Sequence, residues 1–109
     1  MNKNIMMIIS LIVIAFTISC NDSYAAIKWE KDLASAVKKA KDKDLPIMID
    51  VYTDWCSWCK ELDKNTYANK EVIDAAKKMV SVKLNPETSK EGADIAQKYG
   101  VQGFPTILF

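Results

Sequence analysis

The sequence contains no arginine and no histidine. Without arginine there is no planar fork for bidentate phosphate binding, because all fifteen cations are lysine. Without histidine, Ser-His-Asp and Cys-His catalysis are excluded, as are His-ligated zinc sites and c-type haem ligation. Cysteine is scarce: Cys20, Cys56 and Cys59 are too few for an all-cysteine tetrahedral metal site or a disulfide-dense scaffold, so no metal is expected. An excess of either charge is missing too. The formal net charge is +1, which argues against nucleic acid as a partner held by bulk charge. No repeat, low-complexity tract or second domain boundary is visible. What remains is a chain of 109 residues, 50% apolar and 27% charged, the balance of one small globular domain.

The N-terminal segment stands apart from the fold. Lys3 is followed by an apolar run from Ile5 to Ile18, broken by Ser10 and Thr17. That length suits a signal-peptide core, whereas a bilayer span needs roughly twenty residues. Ser23-Tyr24-Ala25 has small residues at its ends and predicts cleavage over residues 1–25, with the domain covering 26–109. The alternative is a lipoprotein signal over 1–19, with Thr17-Ile18-Ser19-Cys20 as its end and Cys20 lipidated. Simple cleavage is the favoured reading. Both imply export, with membrane contact only through the signal or a lipid, and both leave Cys56 and Cys59 as the thiols available for redox work.

Strands and helices alternate after residue 26. Ile27-Lys28-Trp29 predicts a short strand, and Asp32 an N-cap before Leu33, Ala36, Val37 and Ala40 at helical spacing. Lys38, Lys39, Lys41 and Lys43 form that helix's wet face. Pro46 opens Ile47–Tyr52, a near-continuous apolar run that fits a strand buried on both faces. A helix is expected from about Cys56 to Asn65, then a shorter one capped by Asn69 and carrying Val72, Ile73 and Ala76. Val80, Val82 and Leu84 alternate as a strand. Thr88-Ser89-Lys90-Glu91 fits a capping box for a helix ending at Tyr99, with Gly100 as its left-handed stop. Thr106–Phe109 begins a further strand.

The chemistry is concentrated in Cys56-Ser57-Trp58-Cys59. A strand followed at once by C-x-x-C at a helix start is a specific pattern. Both sulfurs fall within one turn, so they can close a small ring or open to two thiols. The unpaired N–H groups and partial positive charge of the helix start favour a thiolate, chiefly at Cys56, whose pKa should fall below the free value of about 8.5. A purely structural disulfide is a poor alternative, since so small a ring removes little chain entropy. Asp50 interrupts the apolar strand six residues earlier. It is either an outward-facing acid on an edge strand or a buried carboxyl beneath the second cysteine. In the latter case desolvation raises its pKa and makes it a proton acceptor. Lys83 points either to water or toward Asp50. Pro105, entering a strand after Gly100 and Gly103, is either a cis peptide or an ordinary trans one. Trp55 and Trp58 either pack in the core or line the site.

Three segments together resemble the thioredoxin family. Asp50-Val51-Tyr52-Thr53-Asp54-Trp55-Cys56-Ser57-Trp58-Cys59-Lys60 is similar to the family's strand and Trp-Cys-x-x-Cys-Lys segment. Lys83-Leu84-Asn85 is similar to its lysine-bearing strand, and Tyr99-Gly100-Val101 through Gly103-Phe104-Pro105-Thr106 to its cis-proline loop. The resemblance covers about residues 27–109. Within the family, Asp50–Lys60 with Glu61–Tyr67 is most similar to the C-terminal domain of the membrane electron carriers called DsbD, and to secreted members with a Trp before the second cysteine. Ser57-Trp58 departs from thioredoxin's Gly-Pro.

The resemblance implies an α/β fold, a central mixed sheet flanked by helices. Family members continue into a last antiparallel strand and a covering helix, so the domain is expected to be incomplete at its C-terminal side. With the N-terminal signal, which favours a soluble periplasmic protein over a lipid-anchored one, it implies a thiol–disulfide oxidoreductase of the bacterial cell envelope that reduces protein disulfides. Cys56 and Cys59 would form the redox-active disulfide, Asp50 and Lys83 would assist, and Trp55, Trp58, Phe104 and Pro105 would bind substrate. No cofactor is required. The partners implied are disulfide-containing proteins and a membrane electron donor of the DsbD type. The alternatives are a non-catalytic binding module on the same fold and a dedicated reductant in cytochrome c maturation.

Overall fold

The computed structural model describes residues 26–109. The expected leader and the lipidation candidate Cys20 therefore lie outside the described residues. Strands β1 (Trp29–Glu30), β2 (Ile47–Val51), β3 (Val80–Leu84) and β4 (Thr106–Leu108) form one sheet in the order β1-β3-β2-β4. β3 runs parallel to both β1 and β2, whereas β4 pairs antiparallel with β2. The apolar run opened by Pro46 thus becomes an interior strand, flanked on both sides, as its continuous hydrophobicity required.

Strand alternation assigns each side chain to a face. Val80, Val82 and Leu84 share one face with Ile47 and Ile49. Helix α1 (Leu33–Lys43) covers it with Ala36 and Ala40, and helix α4 (Lys90–Lys98) adds Ile95. Val37 is half-buried and outside this cluster. The other face carries Trp29, Met48, Asp50, Ser81, Lys83 and Ile107. It is covered by Leu62 and Tyr67 from the segment after the dithiol and by Val72, Ile73 and Ala76 of helix α3 (Lys70–Ala76).

The helix limits follow from their caps. The Asp32 carboxylate accepts from Ser35 N–H at 2.7 Å, and Asn69 Oδ1 accepts from Glu71 N–H at 2.8 Å. At α4 the capping residue is Ser89, whose hydroxyl accepts from Gly92 N–H at 3.0 Å, not Thr88. Glu91 does not close a box on its own helix. Its carboxylate instead accepts from Leu33 N–H at 3.1 Å and so satisfies an unpaired donor at the start of α1. Gly92 is sterically required, because a Cβ there would lie 2.6 Å from the Asn85 carbonyl oxygen. Gly100 ends α4 at φ +63°, the left-handed stop expected of it.

Three expectations are corrected. The first strand is Trp29–Glu30 rather than Ile27–Trp29, because Ile27 turns into the core instead of joining the ladder. Lys39 is not simply on a wet face; it ion-pairs with Glu30 across α1 and β1. The helix expected from Cys56 to Asn65 is two pieces. Helix α2 (Ser57–Glu61) gives way to a π-helical turn, Leu62–Thr66, where Tyr67 N–H reaches back five residues to Leu62 O at 2.9 Å. The wider turn rotates the chain beyond it and delivers Tyr67 to the buried side.

Candidate active site

Strand β2 ends at Val51, and a short loop leads directly to the cysteines. Thr53, buried, accepts Cys56 N–H through its carbonyl at 3.3 Å and fixes the turn. Cys56 is the N-cap of α2: its Sγ accepts from Cys59 N–H at 3.0 Å. A sulfur here does what a serine or aspartate oxygen does at other helix starts, and the helix field acts on it. Cys56 and Cys59 are joined as a disulfide, with Cα atoms 5.3 Å apart. Both cysteines are buried in this oxidised state, Cys56 4% exposed and Cys59 3%. The asymmetry lies in position, with Cys56 at the cap and Cys59 donating to it.

Asp50 is not on a surface edge. It is 0% exposed, paired in register with Lys83 on β3 and with Ile107 on β4. Burial pushes its carboxyl above the ordinary value, and the Lys83 ammonium partly offsets that push. Lys83 does not point freely to water. Its Nζ is 3.4 Å from Asp50 Oδ2, pairs also with Asp63 of the π-helical turn, and sits over the rings of Trp29 and Tyr52 at 5.1 Å and of Tyr67 at 5.4 Å.

The Phe104–Pro105 peptide is cis, and both residues are half-buried at the entry to β4. Trp55 joins this loop to the dithiol by an edge-to-face contact with Phe104, centroids 5.9 Å apart. Neither tryptophan of the motif is in the core: Trp55 is 67% exposed and Trp58 74%. The structure therefore brings together Cys56 with Cys59, Asp50 with Lys83, and Trp55 with Phe104.

Sequence reasoning missed three residues. Glu87 accepts from the Trp55 indole N–H at 2.9 and 3.1 Å, and its own N–H is held by Asn85 Oδ1 at 2.9 Å. Asp63 lies four residues beyond Cys59, a spacing that could have placed it on the same helical side. Tyr67 carried no signal beyond its apolar ring. No helix of the described residues is long and apolar enough to cross a membrane.

The chain is similar to known proteins. A family model described as thioredoxin-like matches residues 28–109. The thiol:disulfide interchange protein DsbD of Colwellia psychrerythraea is 34% identical over 94 residues, which is 82% of this chain and 16% of that protein. Its namesake from Escherichia coli K12 is 37% identical over 89 residues, covering 80% of this chain and 15% of the relative. The chain thus spans about one-sixth of the length of these curated relatives. Among solved structures, a thioredoxin from Thermus thermophilus superposes with a TM-score of 0.68 at 20% identity, over 76% of this chain and 63% of that one. A DsbH oxidoreductase gives 0.66 at 24% identity, over 76% and 64%. These two likenesses carry the fold: a mixed sheet between helices, as the sequence implied. Because the family match runs through every described strand and helix, and the two DsbD relatives agree with it at 34% and 37% identity, this chain belongs to the thioredoxin-like family.

Proposed function

We propose that the protein is a thiol–disulfide oxidoreductase of the bacterial cell envelope that reduces disulfides in other proteins. The observation that carries this reading is the helix-capping sulfur: Cys56 Sγ accepts a backbone N–H at 3.0 Å while bonded to Cys59. Once the disulfide is opened, the same N–H and the helix start stabilise a thiolate at Cys56.

The reaction begins with the dithiol. The Cys56 thiolate attacks one sulfur of a substrate disulfide; that S–S bond breaks, and the other substrate sulfur leaves as a thiolate and takes a proton from water. Asp50 then accepts the Cys59 proton. The Cys59 thiolate attacks Cys56, the mixed disulfide breaks, and the second substrate sulfur leaves and is protonated. Two electrons have moved from the dithiol to the substrate, leaving the Cys56–Cys59 disulfide. A membrane dithiol donor of the DsbD type returns them by the reverse exchange. Lys83 stabilises the Asp50 carboxylate between turnovers. Trp55, Trp58, Phe104 and the Pro105 backbone receive an extended substrate segment beside the sulfurs.

The direction is argued from what separates the cysteines. Ser57 and Trp58 add neither a cation nor a histidine, so the thiolate lacks the extra stabilisation that makes a strong oxidant. Export is supported by the apolar run over residues 5–18. Insulin reduction with a dithiol donor, together with a measured reduction potential, tests the reading. The expected potential is nearer about −270 mV than about −120 mV. Cys59→Ser should accumulate a mixed disulfide with substrate and Cys56→Ser none. An inert dithiol would instead mark a binding module on this fold.

A further inference from the structure

The proton acceptor has an unused neighbour. The Tyr67 hydroxyl is buried and makes no hydrogen bond among the described residues, and both Asp50 carboxylate oxygens are in the same condition. Buried polar groups left unpaired are costly, and these two are complementary: an ionised carboxylate only accepts, and a phenol donates. They flank one ammonium, Lys83 Nζ being 3.4 Å from Asp50 Oδ2 and 5.4 Å from the Tyr67 ring centroid. The ring is held in place on two sides. Trp29 packs edge-on at 5.0 Å, and the π-helical turn anchors the Tyr67 backbone through its bond to Leu62.

We propose that Tyr67 is a positioning residue for the proton acceptor, its hydroxyl donating a hydrogen bond to the Asp50 carboxylate once that group ionises. This rests on the redox role proposed for Asp50 and extends it. The two groups already act on one another: the hydroxyl favours the charged carboxylate, and burial, with the carboxylate's charge, pushes the phenol up and keeps it a donor. The other elements around Asp50 bring a lysine and a second phenol, and Ser81 lies two residues before Lys83 on the same face of β3. β3 presents Lys83, the π-helical turn presents Asp63, the loop after β2 presents the Tyr52 phenol, α2 carries the dithiol, and β4 presents only the apolar Ile107.

The test is a titration of the Asp50 carboxyl by carbon-13 NMR, in the oxidised and the reduced protein, paired with the pH profile of insulin reduction. Tyr67→Phe keeps the ring and removes the donor. It should raise the Asp50 midpoint by about one pH unit, as expected for the loss of one hydrogen bond to a charged group. The acid limb of the activity profile should rise with it, slowing turnover below that limb by up to about tenfold. Placing 3-fluorotyrosine at position 67 strengthens the donor and should move the midpoint the opposite way. A Phe variant with native spectral dispersion whose Asp50 midpoint stays put or falls would overturn the proposal. If the Phe variant does not fold, the fluorinated protein decides alone, and no downward shift overturns it. A protein that shows both NMR shifts yet never reduces insulin would keep the Tyr67–Asp50 link and remove the reductase reading instead.

Discussion

On one side of the sheet, Val80, Val82 and Leu84 meet Ala36, Ala40 and Ile95 in an apolar cluster. On the other, the same strands present Asp50, Ser81 and Lys83 to a layer built from Tyr67, Ile73 and Ala76. The two faces are one residue out of phase along the same backbone, so they share hydrogen bonds and differ only in what they bury. The apolar face collects transfer free energy at little electrostatic cost. The polar face gives some of that up: Tyr67 OH and Ser81 Oγ are buried without a hydrogen bond, and the buried Asp50 carboxyl has the Lys83 ammonium at 3.4 Å. The contrast teaches where this fold keeps its stability and where it keeps its chemistry. A carboxyl proposed to take and return a proton near neutral pH is helped by sitting where the charged form is disfavoured, as Asp50 does.

The comparison breaks first at Leu84. Leu84→Ala hollows the apolar face and should cost about 2–5 kcal/mol in urea unfolding. The pH midpoint of activity should stay where it is, and a moved midpoint would show that the faces are not separable. Asp50→Asn should do the reverse, slowing insulin reduction near pH 7 while stabilising the fold there, because an uncharged amide removes the penalty of ionising a buried carboxyl.

The same residue sets a pH dependence. Because burial holds its folded pKa above the ordinary 3.8, the folded chain keeps that proton longer than the unfolded chain does. Its contribution to stability is full below the unfolded value and is lost as pH rises through the folded pKa. The urea midpoint of the wild type should therefore decline over that window, and the Asn variant should lack this decline.

Lys83→Met sharpens the polar side alone. Removing the ammonium 3.4 Å from Asp50 should move the acid limb of the activity profile upward by about one pH unit. An unmoved limb would mean that Lys83 serves Asp63 only. The smallest effect belongs to neither face. Ser89→Ala removes the α4 cap and should cost about 1 kcal/mol with turnover unchanged.

Much of this was legible in the chain itself. Asp32, Asn69 and Gly100 sit where local rules put a cap or a stop, because such signals need only a few neighbouring residues. The Ile47–Val51 run declared an interior strand, and the C-x-x-C after it declared a dithiol at a helix start. The capping box read at Thr88–Glu91 was one residue off: Ser89 caps α4, and the Glu91 carboxylate accepts from Leu33 N–H of another helix instead. The helix after Cys56 looked continuous because nothing in its composition marks a π-helical turn.

Composition, periodicity and spacing determined which residues could do chemistry: Cys56, Cys59 and Asp50 are exceptional against their own surroundings, and that contrast is a property of the chain. Their company was decided only by the tertiary structure. Lys83 could face water or Asp50 until the order β1-β3-β2-β4 placed β3 beside β2 in a register that pairs the two residues. Tyr67 joined them because the widened turn swung it under the sheet, and Glu87 met Trp55 because the loop after β3 passes beside the loop after β2. The physical reason is common to all three. Periodicity tells a side chain which face it shares with its own element, but a partner on another element is fixed only when strand order and register bring the two backbones together.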